Sequence, residues 1–263
     1  MNILDKIIAH KKIEIVNAKE KLTVDELMRS EFFNRPTFSL KRFLLDKTKT
    51  GIIAEFKRQS PSKGIINSTA DVVEVTAAYT LHGASCLSVL TDEHFFGGSV
   101  ADLSKARVNN IPILRKDFIM DEYQVVGTRA MGADVILLIA ACLTPQRVKE
   151  LAVFAKKLQL EVLLEIHTED ELQHICDETE IVGVNNRDLK TFIVDINRSI
   201  ELSKKIPANK IKIAESGISD VETICTLRRA GFRGFLMGEN FMKQPGPAIA
   251  FADFVQLLNA KVQ

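Results

Sequence analysis

The chain has 263 residues, of which 46% are hydrophobic and 26% charged, and a formal net charge of +1. This composition is typical of a folded protein with a sizeable core and excludes a disordered chain. The near-neutral charge, with no basic stripe or lysine-rich tail, gives no reason to expect nucleic acid or a membrane surface as a partner. We therefore expect the partner to be a small molecule.

The cysteines and the N-terminus indicate the cellular compartment. The four cysteines are far apart in sequence and form no C-x-x-C pair, which favours reduced cytosolic thiols over disulfides or a zinc site. The first 22 residues are interrupted by charges every few positions and lack the apolar core of a secretory signal. No apolar run approaches the roughly 18 residues that a membrane span needs. We predict a cytoplasmic protein and expect a monomer.

Residues 1–48 precede the first predicted strand. Their apolar side chains recur at helical spacing, at Leu4, Ile7, Ile8 and Ile15 and later at Phe38, Leu40, Phe43 and Leu44. We predict extra helices here, packed on either the mouth or the bottom of the domain that follows.

From Gly51 onward, short apolar runs alternate with amphipathic segments. Eight mostly continuous runs predict parallel strands covered on both faces: GIIAEF, CLSVLT, IPILRKD, DVILLIA, LEVLLEI, IVGVNN, IKIAES and GFLMGE. A helical pattern follows each run, including TPQRVKELAVFAKKLQ and TEDELQHICDET.

The strict alternation of strand and helix predicts the fold class. It indicates an α/β protein with a parallel sheet, and eight units favour a closed (β/α)8 TIM barrel. Counting strands leaves an open doubly wound sheet possible. Since no linker or longer repeat is present, we predict one domain over residues 1–263, with an N-terminal helical extension over 1–48 and the barrel over 49–263.

Charged and amide side chains recur at the predicted C-terminal ends of the strands, where barrels of this class carry their active sites. Strand 1 ends in Glu55 and Lys57, strand 3 in Lys116, strand 5 in Glu165, strand 6 in Asn185 and Arg187, and strand 7 in Glu215. Period-two alternation puts Glu55 and Lys57 on one face and Phe56 on the other. One such charge is usually an ordinary strand end, but a set in the same register predicts a site whose buried acids and bases pair.

Two dipeptides after the last strands predict phosphate binding. Ser216-Gly217 and Gly238-Glu239 follow strands 7 and 8, where these barrels commonly bind phosphate through loop amides and a helix N-terminus. Each dipeptide alone is most often just a turn, and it is their position that indicates phosphate.

Several other polar and aromatic residues are assigned no catalytic or metal-binding role from the sequence pattern. His94 is expected on a loop near the mouth, and His167 and His174 show no metal-ligand pattern, so we assign them no ligand role. Phe118, two residues beyond Lys116, is either a core aromatic or one wall of an aromatic-binding pocket.

Seven motifs in order along the barrel carry a family resemblance: IIAEFKRQSPSKG, LSVLTDEHFFGGS, PILRKDFIMDEYQV, LEVLLEIHTEDEL, VGVNNRDL, IAESGI and GFLMGENFM. Together they resemble the indole-3-glycerol phosphate synthases, tryptophan-biosynthesis enzymes with a (β/α)8 barrel and an N-terminal helical extension. The resemblance implies a carboxy-lyase that closes the indole ring of 1-(2-carboxyphenylamino)-1-deoxyribulose 5-phosphate. It implies loss of carbon dioxide and water, with no metal or organic cofactor.

The resemblance also implies roles for the strand-end residues. Lys116 resembles the general acid that activates the ribulose carbonyl, and Glu165 the general base of the later dehydration. Lys57 would hold the anionic substrate, and the division of proton steps between the two lysines stays open. Glu55 and Asn185 would position these groups.

The remaining implied contacts are with the substrate. Phe118 would flank the anthranilate ring, Ser60 would lie near the substrate carboxylate, and Arg187 and Glu215 would complete the polar layer. Backbone amides of the phosphate loops would come from Ser216, Gly217, Gly238 and Glu239. Because some members carry serine where Glu239 stands and like charges repel, we expect only its amide to face the phosphate.

Two competing functions predict different sequences. Phosphoribosylanthranilate isomerase would share the phosphate site but needs a Cys/Asp acid–base pair, whereas Cys86 lies early in strand 2 rather than at the end of strand 1. A non-catalytic ligand-binding barrel would keep the phosphate loops and lose the charged layer. This chain has both features, which favours the synthase.

Overall fold

The structure of the protein is a computed structural model, described here for residues 3–188 and 193–262. Eight parallel strands form a closed barrel in chain order, and the last pairs with the first. The predicted closed (β/α)8 barrel is thereby confirmed. The strands are β1 Ile52–Phe56, β2 Cys86–Leu90, β3 Ile113–Lys116, β4 Val135–Ile139, β5 Glu161–Ile166, β6 Ile181–Asn185, β7 Ile211–Glu215 and β8 Gly234–Met237.

The α-helices of the described residues cover the barrel and its ends. They are α1 Ile3–Lys21, α2 Val24–Met28, α3 Leu40–Leu45, α4 Val72–Leu81, α5 Glu93–Phe96, α6 Val100–Ala106, α7 Glu122–Ala130, α8 Pro145–Lys157, α9 Ile196–Ser203, α10 Val221–Arg229, α11 Glu239–Met242 and α12 Pro247–Val262. Two 3-10 helices span Ala140–Cys142 and Glu169–His174, and a short antiparallel hairpin pairs Gln59–Ser60 with Gly64–Ile65. None of these helices combines the length and apolarity that crossing a membrane requires.

Side-chain alternation along the strands divides the core into two layers. On β1, Ile52, Ala54 and Phe56 belong to the large cluster between strands and helices, whereas Ile53 belongs to the cluster inside the barrel. Glu55 has the parity of Ile53 and is therefore directed inward, as the sequence predicted. The resulting barrel interior is apolar below and charged at the C-terminal rim.

The N-terminal extension packs on both ends of the barrel. Helix α3 closes the bottom, where Leu40 and Leu44 join the interior cluster and the Ser39 hydroxyl donates to Glu161 Oε1 at the start of β5 (2.5 Å). Helix α1 lies at the opposite end, where Lys11 pairs with carboxylates that follow β2 and β3. The two locations considered from sequence are therefore both occupied, by different helices.

Two local predictions need correction. The helix predicted for TEDELQHICDET is a short 3-10 helix over Glu169–His174 only, where the Glu171 carboxylate folds back to accept from His167 N (2.5 Å) and the ring of His174 bonds to carbonyl oxygens of Glu171 and Leu143, both at 3.0 Å. Such local side-chain bonds compete with a regular helical ladder. His94 lies in helix α5 rather than in a loop, with its ring stacked 4.4 Å from His10 of α1.

Candidate active site

A cavity of about 390 Å³ opens at the C-terminal ends of the strands, beneath the first turns of α1. All thirteen residues predicted from sequence line it, since the parallel strands bring their carboxyl ends to one rim. The cavity has a charged floor, an apolar wall and a loop-lined far side.

Lys116 lies among carboxylates on the floor. Its Nζ is 3.2 Å from Glu165 Oε2 and 3.9 Å from Glu215 Oε2. Burial opposes the ammonium charge, but the nearby carboxyl groups, the ionised Glu165 foremost, raise the pKa of Lys116 above its ordinary value. The lysine therefore stays protonated and can donate a proton.

Glu165 is held on both oxygens. While Oε2 faces Lys116, Oε1 accepts a hydrogen bond from Asn185 Nδ2 (2.9 Å) and lies 3.1 Å from His167 Nε2. Burial favours the neutral acid, but Lys116 and His167 outweigh it and lower the pKa of Glu165. This carboxylate is therefore ionised and oriented.

Glu215 is in the opposite state. Its burial and the nearby negative charge of Glu165 raise the pKa of Glu215. Gly183 on the neighbouring strand β6 makes room for this side chain, because a Cβ at Gly183 would lie 2.1 Å from Glu215 Oε1. Two carboxyl groups with pKa values driven apart therefore flank one ammonium, an arrangement typical of acid–base sites.

A second ion pair lies at the end of β1. Lys57 Nζ is 2.8 Å from Glu55 Oε1, and the Ser88 hydroxyl donates to Glu55 Oε2 at 3.4 Å. Lys57 is 16% exposed and therefore reaches the cavity while its partner stays buried. The two lysines thus belong to separate pairs rather than to one continuous layer.

Two consecutive residues with left-handed backbone begin the loop after β7. Ser216 and Gly217 have φ values of +67° and +68°, in the left-handed region that favours glycine. The amide of Asn186 anchors this turn by donating to Ser216 O (2.7 Å). A side chain at Gly217 would meet Val194 Cγ1 at 2.2 Å, so the close approach of this loop requires glycine.

The loop after β8 carries a carboxylate toward the cavity. Gly238 precedes α11, and a Cβ there would lie 2.8 Å from Glu55 Cβ. The Glu239 carboxylate lies 3.7 Å from Arg187 Nη2 and 3.8 Å from Lys63 Nζ. Its charge is thus directed at two cations across the rim.

The opposite wall is apolar. The ring of Phe118 lies 6.0 Å from that of Phe96, and both line the cavity with Leu4 and Ile7 of α1. Phe118 also packs on the interior cluster, so its ring is part of the core and lines the cavity as well. Within residues 3–188 and 193–262, no three or more His, Cys, Asp or Glu side chains are grouped so as to hold a metal ion.

The family model for indole-3-glycerol phosphate synthase matches residues 4–253. The chain belongs to the indole-3-glycerol phosphate synthase family. A synthase of that name from Bacteroides thetaiotaomicron is 46% identical over 258 residues, covering 98% of this chain and 99% of the relative. Another from a Polaromonas species is 43% identical over 261 residues, covering 97% of this chain and 99% of the relative.

Solved structures of other proteins share the fold of this member of the indole-3-glycerol phosphate synthase family. The tryptophan synthase alpha subunit of Legionella pneumophila has a TM-score of 0.62 at 11% identity, over 85% of this chain and 96% of that one. A structure described as native KDPGal has a TM-score of 0.59 at 14% identity, over 82% and 96%. At these identities the likeness concerns the fold alone.

Sequence reasoning missed four residues that shape the site. His167 follows Glu165 by two positions and so shares its face of β5, a period-two signal that was available. Lys11 lies between Ile7 and Ile15 on the buried face of α1, and a lysine at such a position indicates a buried anion. Gly183 and Asn186 gave no signal, because their roles depend on neighbouring strands.

Proposed function

We propose that this cavity closes the indole ring of 1-(2-carboxyphenylamino)-1-deoxyribulose 5-phosphate, releasing carbon dioxide and water to give indole-3-glycerol phosphate. The observation that carries the proposal is the position of Lys116 between Glu165 and Glu215 in a cavity with one apolar wall. A protonated lysine beside an ionised carboxylate supplies an acid and a base to one substrate. The family membership of the chain supports the same reaction.

Lys116 acts as the general acid of ring closure. Because carbon dioxide leaves from the ring carbon that bears the carboxylate, that carbon must form the new bond to the ribulose carbonyl carbon. Negative charge then develops on the carbonyl oxygen, and a proton from Lys116 Nζ neutralises it. Loss of carbon dioxide returns the bonding electrons to the ring.

Glu165 acts as the general base of the dehydration. Its lowered pKa keeps it ionised, so it can accept a proton from the methylene carbon that bears the nitrogen. The electrons of that C–H bond form the new double bond while the hydroxyl on the neighbouring carbon is protonated and leaves as water. Asn185 and Glu55 position Glu165 and Lys57 respectively. Lys57 holds the anionic substrate, and its ammonium protonates the leaving hydroxyl.

The two ends of the cavity bind the two ends of the substrate. The anthranilate ring lies against Phe118, and its carboxylate faces the hairpin that carries Ser60. Arg187 and Glu215 complete the polar layer. The phosphate binds to backbone amides of the loops after β7 and β8, supported by the left-handed turn and the close-packed glycines; these residues are Ser216, Gly217, Gly238 and Glu239.

The proposal extends to the state of the protein. The chain works as one domain and as a cytoplasmic monomer, with no nucleic-acid partner and with neither metal nor organic cofactor. Light scattering at assay concentrations measures the mass. Turnover unchanged after dialysis against a chelator is expected, and activity that returns only with added metal would contradict the metal-free chemistry.

Replacing either proton-transfer group tests the mechanism. Lys116→Ala or Glu165→Gln is expected to lower kcat by at least about a hundredfold, the usual scale of a lost acid or base. The matched control is Glu161→Gln at the other end of β5, where the side chain bonds to α3 and lies outside the cavity. Steady-state formation of the fluorescent indole product measures all three variants.

Two results would contradict the proposal. Wild-type turnover retained by folded Lys116→Ala or Glu165→Gln protein would remove those roles. Failure of the intact gene to restore growth of a tryptophan auxotroph that lacks the synthase would favour a non-catalytic barrel.

A further inference from the structure

His167 follows directly after β5 and is buried between two carboxylates. Its side chain is 6% exposed, with Nε2 3.1 Å from Glu165 Oε1 and Nδ1 3.5 Å from Glu171 Oε2. The Glu171 carboxylate also accepts from the backbone N–H of His167 at 2.5 Å. The 3-10 helix that follows β5 therefore holds the imidazole against the proposed base.

Among the described residues, both ring nitrogens are buried at ion-pair distance from these carboxylates, and neither makes a well-aligned hydrogen bond. A neutral ring has one N–H donor and one acceptor nitrogen, and the acceptor would face a carboxylate lone pair. Only the imidazolium offers a proton to both carboxylates. The surroundings therefore favour the charged ring.

We propose that His167 is a positioning residue that keeps Glu165 ionised and fixes its orientation. His167 and Asn185 both engage Oε1, which leaves Oε2 directed at Lys116 and the substrate. Glu171 offsets the cost of burying the imidazolium. This inference rests on the proposed function, since it assigns Glu165 the work of a base.

The charges around His167 agree with this assignment. Burial opposes its protonation, but the two carboxylates raise the pKa of His167 to about 9. The titratable and charged groups on the surrounding elements are Glu165 of β5, Glu171 of the 3-10 helix, Lys116 of β3, Glu215 of β7 and Cys142 after β4. Lys116 is the cation of this set. Its ammonium repels the imidazolium of His167, but this repulsion weakens with distance and is smaller than the attraction of the two adjacent carboxylates.

Nuclear magnetic resonance of ring-labelled histidine tests the contact without any assay of activity. In the whole wild-type chain we expect His167 to titrate near pH 9, and Glu171→Gln to move that titration downward because one anion is removed. His174→Gln identifies the second buried histidine, whose ring nitrogens bond to the backbone carbonyls of Glu171 and Leu143. Titration of His167 at or below the ordinary value of about 6.5 would overturn the proposal.

The pH profile tests the function of the contact. His167→Leu is expected to lower kcat by about tenfold or more with a much smaller change in KM, because orientation of a base acts in the transition state. Without the cation the pKa of Glu165 rises, so the acidic limb of kcat/KM moves to higher pH. His167→Gln, which keeps an N–H near the position of Nε2, should recover part of kcat. His82→Gln, at the exposed C-terminal end of α4, should leave both readouts unchanged.

The outcomes of these experiments distinguish the positioning role of His167 from the proposed synthase activity. An unchanged kcat and acidic limb in His167→Leu would overturn the role of His167 while the synthase activity stands. A wild-type protein that makes no indole product would remove the proposed function, and the resonance titration would still decide the contact with Glu165.

Discussion

At the scale of single residues, Gly183 controls the geometry of the charged floor. It lies in β6 with ordinary strand backbone, so alanine is acceptable to the chain itself. Its Cβ, however, would lie 2.1 Å from Glu215 Oε1. Gly183→Ala is therefore expected to push the Glu215 carboxyl away from Lys116, lowering kcat by about tenfold or more and destabilising the fold by about 1–3 kcal/mol, the range of an overpacked core.

A second substitution separates this clash from a general loss of stability. Glu215→Asp shortens the side chain, so urea denaturation of the double variant should show a favourable coupling with Gly183→Ala. The control is Gly127→Ala in α7, where the nearest atom to a new Cβ is 3.6 Å away and the change should be neutral or stabilising. Additive effects of the two substitutions would mean that Gly183 does not limit Glu215.

The sequence predicted which residues surround the cavity and that its acids and bases pair. It did not predict which lysine pairs with which carboxylate. Strand ends are visible in sequence, so the thirteen lining residues were found from charge and glycine placement together with the family motifs. Which lysine faces which carboxylate depends on the shear of the closed barrel, which brings Asn185 opposite Glu215. That register is a property of all eight strands and is not encoded at any one of them.

At the scale of elements, α1 is held across the mouth by one buried side chain. Lys11 Nζ is 2.9 Å from both Asp92 Oδ2 and Asp117 Oδ1 and 2.8 Å from Glu14 Oε2, and the lysine has no exposed surface. Asp117 immediately follows Lys116, so this contact connects the extension to the proposed acid. Helix α1 thereby fixes a wall of the cavity.

Removing this contact should affect stability and substrate binding together. Lys11→Met leaves Asp92 and Asp117 buried without their shared cation, and the free energy of unfolding should fall by about 3–5 kcal/mol. We also expect KM to rise, since Leu4 and Ile7 of α1 line the cavity. Denaturant unfolding and steady-state kinetics measure the two effects.

The same helix provides the matched control. Lys19 pairs with Asp121 at 2.8 Å, but both side chains are partly exposed, so Lys19→Met should cost no more than about 1 kcal/mol. Equal losses from the two substitutions would show that burial of Lys11 contributes nothing beyond an ordinary surface pair.

Element boundaries were predictable where propensity and packing agree. Helix α8 begins at Pro145 after Thr144, whose hydroxyl accepts from Arg147 N at 3.2 Å, as its start signal indicates. The prediction for the segment after β5 was less accurate, because the Glu171 carboxylate bonds to the backbone of His167 instead of facing solvent. Such a local side-chain bond overrides the periodic pattern there.

At the scale of the whole molecule, the site makes stability depend on pH in two opposite directions. The ion pairs of Asp117 lower its pKa, so its stabilisation is present above the ordinary aspartate value of about 3.9 and is lost as the pH falls. The raised pKa of Glu215 works in the reverse sense: above about 4.3 the unfolded state releases a proton that the folded state retains, so stability falls as pH rises. His167 adds to this loss as pH rises through about 9.

Glu215→Gln should therefore make the protein more stable at pH 8 while it impairs catalysis. Glutamine keeps the shape of the protonated side chain and removes the proton-linked cost, so the gain relative to wild type should grow from pH 5 to pH 8 and exceed about 1 kcal/mol. Urea denaturation across this range measures the slope, with Glu20→Gln on the exposed side of α1 as a control for loss of one formal charge. A wild-type stability that rises from pH 5 to pH 8, or a slope that Glu215→Gln leaves unchanged, would mean that Glu215 is ionised in the folded protein and that Lys116 lies between two full negative charges.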